Sequence, residues 1–199
     1  MTSTVKSRTL PPMSTKNLER AFASTRSVLA NVTPDQLSNP TPCQSWQVRN
    51  LINHFVGVSY WFGDTVNTGV APPLADIDYT GGDMVAKYDA GIEQAVTAFA
   101  APGALDQIVE LPFGKLPAAV YIGIATTDAF THGWDLARAT GQSTDLDPEL
   151  AAELLEGARA FLQPAFRGED TKSPFGPEQA PPAGATNADA LAAFLGRQA

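Results

Sequence analysis

Residues 121–140, YIGIATTDAFTHGWDLARAT, read as one helix. It follows Pro117 and stops at Gly141, where glycine suits the left-handed position just past a helix end. Asp128 and His132 stand four residues apart within it. Four residues turn through about 400°, so these side chains lie one above the other on a single face. Asp135 continues that face. A pair spaced i, i+4 can hold one metal ion, as the paired histidines of zinc peptidases do.

The chain has only one other histidine, His54. It falls in a second predicted helix, 46–66, with Ser45 as its expected N-cap and an apolar stripe of Val48, Leu51, Ile52, Phe55, Phe62 and Val66. If the two helices are neighbours, His54, Asp128 and His132 form a site of two imidazoles and one carboxylate. Three protein ligands leave a coordination position open, which is the pattern of a catalytic rather than a structural zinc site. Asn50 lies one turn before His54 and is placed to hydrogen-bond its ring. Asp135 is placed to orient a ligand histidine from behind. The plain readings are a hydrogen-bonded core for each histidine, a surface or capping role for Asp128, and an ion pair from Asp135 to Arg138 or Arg49.

Further helices are expected over 17–31, 83–99, 148–162 and 188–196, the fifth with Asp147 as cap and Pro148 in its first turn. Residues 107–119, QIVELPFGKLPAA, suggest a small hairpin or an irregular loop before the fourth helix. Residues 1–12 read as a flexible arm, 13–165 as a helical bundle, and 166–199 as an extension whose short helix packs on the bundle. Five helical patterns and one weak strand pair imply an all-α bundle. Trp46, Trp61 and Trp134 are core or pocket-wall candidates, with Trp134 beside His132 placed to close one side of a cavity. Lys115 is read as a solvated loop lysine. Cys43 precedes the second helix, where a thiol can be activated, but a buried structural role is the expectation.

The balance of 13 Lys+Arg against 21 Asp+Glu, net −8, argues against nucleic acid, which needs clustered basic residues. Residues 116–129 are too short and too marked by glycine and proline to span a bilayer. The first residues, MTSTVKSRTLPP, lack the apolar core of a signal peptide. With a single cysteine no intramolecular disulfide forms, so a cytoplasmic setting is expected. A homodimer through the Pro-rich C-terminal segment or an exposed helix face is compatible with the sequence.

The segments TPCQSWQVRNLINHFVG and DAFTHGWDLARATGQ, with the C-terminal FLGR, resemble a bacterial family of metal-binding proteins related to the N-terminal domain of mycothiol-dependent maleylpyruvate isomerase, in the DinB-like superfamily. The resemblance runs from about residue 16 onward. It implies a DinB-like four-helix bundle with an up-down-down-up course. It also implies a divalent metal, zinc first and nickel or iron as alternatives, held by His54, Asp128 and His132. The isomerase carries a glutamate where Asp128 stands, and related sequences often carry aspartate where Asn50 stands. The isomerase also has a further C-terminal domain, so its activity on maleylpyruvate is not implied.

Three functions compete. The first is a metal-dependent enzyme of transferase or isomerase type that presents mycothiol, or a similar small thiol, to a small electrophile. The second is a non-catalytic metal- or small-ligand-binding module. The third is a site like that of the non-haem iron oxygenases, which also use two histidines and one carboxylate.

Overall fold

The computed structural model describes residues 13–169 and 172–198. The arm expected over 1–12 lies outside the described residues. Helix α1 spans Thr15–Leu29 and begins earlier than its apolar spacing suggested, because Ser14 and Asn17 form a capping box around its free N–H groups. Helix α2 spans Val48–Thr68. Its cap is Gln47, not Ser45. Residues 39–47 fold back as a short bridge, in which Thr41 N donates to Trp46 O at 3.2 Å and Val48 N to Asn39 O at 2.9 Å. That bridge holds Trp46 and Gln47 extended and delays the helix.

Helix α3 spans Met84–Ala100, with the Asp83 carboxylate accepting from Ala86 N at 2.9 Å. Strands β1 (Ile108–Leu111) and β2 (Gly114–Pro117) form an antiparallel hairpin with Val109 opposite Leu116, so the 107–119 segment is a hairpin rather than an irregular loop. Helix α4 spans Ala118–Thr140 and ends at Gly141, whose φ of 70° is left-handed. Helix α5 spans Pro148–Phe161 under the Asp147 cap, and α6 spans Asn187–Phe194 under Thr186. The architecture is therefore mostly helical, with six helices and one two-stranded sheet among the described residues.

Helix α1 packs against α4 and α3, and α2 packs against α3 and α4. Their apolar stripes meet in one core. Phe22, Phe55, Tyr88, Phe99, Tyr121, Phe130 and Trp134 are its largest buried members. Burying such a ring contributes about 1.5–3 kcal/mol each. The helices come close where side chains vanish. A Cβ at Gly91 would lie 2.0 Å from Ser59 Oγ, and one at Gly133 would lie 2.2 Å from Thr25 Oγ1.

Helix α6 packs on α5 and touches α4. Arg167, after α5, is tied to the end of α6: its guanidinium donates to Phe194 O at 2.7 Å and lies 4.7 Å from the centre of the Phe194 ring. Among the described residues no helix is long and apolar enough to cross a membrane.

Candidate metal centre

The contact between α2 and α4 places His54 against His132, with ring centroids 4.8 Å apart and planes at 80°. Both rings turn Nε2 toward one oxygen. His54 Nε2 is 3.7 Å from Asp128 Oδ1, and His132 Nε2 is 3.5 Å from it. These spacings exceed those of ordinary hydrogen bonds. Two ligand atoms bound to one tetrahedral zinc at about 2.1 Å would stand about 3.4 Å apart. The ligand atoms of His54, Asp128 and His132 all lie within 4.8 Å of one another. The second carboxylate oxygen, Asp128 Oδ2, is buried without a hydrogen-bond partner among the described residues. A lone buried acceptor is costly, and a cation offsets that cost. The donor set and the orphaned oxygen therefore fit a divalent metal.

His132 is held from behind. Its Nδ1 lies 3.0 Å from Asp135 Oδ2, and Asp135 is fully buried. That contact assigns the proton to Nδ1 and leaves Nε2 to face Asp128. Burial works to discharge His132, but the nearby Asp128 charge and the hydrogen bond that its ring donates to Asp135 raise its pKa well above the ordinary value. Burial likewise works to protonate Asp128, but His132 and His54 hold its carboxyl far below the usual range. A metal entering here must displace the proton that a charged His132 carries on Nε2, so uptake is coupled to proton release.

Asp135 is itself gripped by a fork. Arg197 Nε lies 3.3 Å from Oδ1 and Nη2 lies 3.2 Å from Oδ2. Burial pushes the Asp135 acid up, while the Arg197 charge and His132 bring it down to about 2. Cys43 Sγ also donates to Asp135 Oδ2 at 3.3 Å. Cys43, His132 and Asp135 are close enough to form a second ligand cluster. Arg197 occupies both oxygens of that carboxylate, and its charge repels a cation, so the His54 group is the better candidate.

Several expectations need correction. The ion-pair partner of Asp135 is Arg197, not Arg138 or Arg49; Arg49 faces Asp78 at 3.7 Å. Asn50 accepts from Gln47 N at 3.0 Å as part of the α2 cap, and no hydrogen bond joins it to His54 among the described residues. The aromatic wall is Trp46, with ring centroids 4.7 Å from His54 and 5.8 Å from His132. Trp134 points elsewhere, donating to Asp189 Oδ1 at 2.9 Å toward α6. Lys115 is solvent-exposed as expected, on β2 of the hairpin, where it pairs with Glu110 at 3.0 Å. Arg197 was missed as a site residue. The FLGR ending was its only signal, and nothing local says which residue it meets 62 positions away.

A family model described as the mycothiol maleylpyruvate isomerase N-terminal domain matches residues 18–137. Two uncharacterized proteins of Mycobacterium tuberculosis, from strains CDC 1551 / Oshkosh and ATCC 25618 / H37Rv, are each 46% identical over 187 residues. That match covers 94% of this chain and 97% of each relative. No solved structure matches the chain.

Proposed function

The chain belongs to the mycothiol maleylpyruvate isomerase N-terminal domain family, and on that premise we propose a divalent-metal-binding enzyme that uses a small thiol against a small electrophile. The reaction is of transferase or isomerase type, and mycothiol is the thiol favoured by the family. His54, Asp128 and His132 are the proposed ligands. A donor set of two imidazole nitrogens and one carboxylate oxygen, with both nitrogens 3.5–3.7 Å from that oxygen, suits zinc ahead of nickel or iron. An ion held by one carboxylate keeps about one net positive charge and so acidifies a thiol or water at its open position.

The protein's own residues have separable tasks. Asp135 keeps the proton on His132 Nδ1 and fixes the ring. Asp128 supplies the charge that draws a cation between the helices. Trp46 covers both imidazoles and excludes water from one side. His54 and Asp128 keep side-chain exposures of 24% and 27%, which leaves a face for a ligand to enter. The observation that carries the reading is the convergence of three donors from two helices. The same family membership supports reading α1, α2, α3 and α4 as the up-down-down-up bundle. A cytoplasmic setting goes with it, since Cys43 has no cysteine partner in the chain.

The test is turnover of an electrophile panel by zinc-loaded protein with mycothiol, against metal-free protein. Metal-dependent consumption of the thiol is expected. No turnover above the metal-free control across the panel would overturn the enzymatic reading. A non-catalytic module remains the second reading, because an ion bound by residues of α2 and α4 would tie those helices together. It requires a melting temperature that rises with zinc in the absence of turnover. Iron with oxygen-dependent turnover would instead point to the oxygenase-like site.

A further inference from the structure

We infer that Arg197, in the segment after α6, is a positioning residue of the metal centre: it clamps Asp135, which in turn fixes His132. The inference rests on the metal-site reading above and adds a residue to it. The matched family region ends at residue 137, before α5, α6 and Arg197 begin. The polar line nevertheless runs unbroken from the tail to the site. Arg197 Nε and Nη2 meet the two oxygens of Asp135 at 3.3 and 3.2 Å, and Asp135 Oδ2 meets His132 Nδ1 at 3.0 Å.

The tail is built to deliver that guanidinium. Arg197 N donates to Ala192 O at 2.9 Å, and Arg197 Nη1 donates to Leu195 O at 3.3 Å. The preceding Gly196 has a left-handed φ of 94°, and a Cβ there would lie 2.5 Å from Gly176 Cα. Only glycine lets the chain turn that closely against residue 176. The Arg197 side chain keeps 11% exposure, so the pair is largely withdrawn from water.

The fork has a specific consequence. A planar guanidinium holding both oxygens stops the carboxylate rotating, which aims Oδ2 at the imidazole. It also balances a buried negative charge that would otherwise take up a proton or turn toward water. Without it, Asp135 no longer holds Nδ1–H and the His132 ring is free to turn away from Asp128.

The experiment compares full-length wild type with Arg197→Ala and Arg197→Lys. Zinc affinity is read by competition with a chromophoric chelator, and the exchange-protected His132 Nδ1–H signal is read by NMR in metal-free protein. Arg197→Ala, folded by circular dichroism, is expected to bind zinc about 10–100-fold more weakly and to lose the protected signal. Guanidinium chloride at sub-denaturing concentration is expected to recover affinity where equal sodium chloride does not. Arg197→Lys should fall between, because an ammonium is a point charge that cannot grip both oxygens. A folded Arg197→Ala with wild-type affinity and an intact Nδ1–H signal would overturn the inference. If wild type binds no zinc, the metal reading fails on its own, and the NMR comparison still decides whether Arg197 fixes His132: loss of the signal upholds that link and retention overturns it.

Discussion

Asp135 Oδ2 and His132 Nδ1 lie 3.0 Å apart on one turn of α4, behind the face that His132 turns toward Asp128. Asp135 itself is fully buried. An imidazole so held presents one nitrogen in one direction, which a ligand needs and an ordinary core histidine does not. Asp135→Asn keeps the size of the side chain but removes its charge. Zinc affinity is expected to fall about 10–100-fold, and stability by about 3–5 kcal/mol because Arg197 is left unpaired. Chelator competition and urea unfolding read the two effects separately. Unchanged zinc affinity would show that Asp135 serves only Arg197.

Removing a ligand should be more severe than removing its support. His54→Ala, His132→Ala and Asp128→Asn are each expected to lose stoichiometric zinc while staying helical by circular dichroism. Metal content after dialysis against buffered zinc is the measurement. Full occupancy in any two of them would exclude the proposed ligand set.

Acid should weaken the fold in a defined window. Asp135 titrates near 2, and Asp147 and Asp189 are also held below the ordinary value: burial opposes this, while Arg20 for Asp147 and Trp134 for Asp189 outweigh it. A carboxylate depressed in the folded state stabilises above the unfolded-state pKa of about 4 and loses that contribution as pH falls through its folded value. Stability is therefore expected to fall steadily from about pH 4 toward pH 2. Urea midpoints across that range test it; a midpoint that does not move with pH would refute it.

Close helix contact can be probed away from the site. Gly91→Ala would drive a Cβ to 2.0 Å from Ser59 Oγ, between α3 and α2. Stability is expected to drop by about 1–3 kcal/mol, with part regained by adding Ser59→Gly. Zinc affinity should be unchanged if the variant remains folded. Wild-type stability would mean that the helices separate without cost.

Local chemistry made much of the fold legible. Asp147 with Pro148 marks the start of α5, Gly141 marks the end of α4, and the 107–119 run forms the hairpin. The start of α2 was misread because Ser45 is a good cap in isolation, whereas the bridge from Pro40 to Gln47 is a pairing that local preference does not encode. At the site, spacing alone puts Asp128 and His132 on one face. The approach of His54 depends on α2 lying beside α4, which only tertiary packing provides. Arg197 reaches Asp135 from the segment after α6, which helical periodicity does not encode; Trp46, a pocket-wall candidate in the sequence, reaches both histidines from just before α2.

The most direct measurement is an anomalous difference map at the zinc edge from crystals of the zinc-loaded protein. One peak is expected about 2.0–2.2 Å from His54 Nε2, His132 Nε2 and an Asp128 oxygen. Loaded crystals with no peak between α2 and α4, or with the ion on Cys43 and Asp135 instead, would contradict the proposed centre.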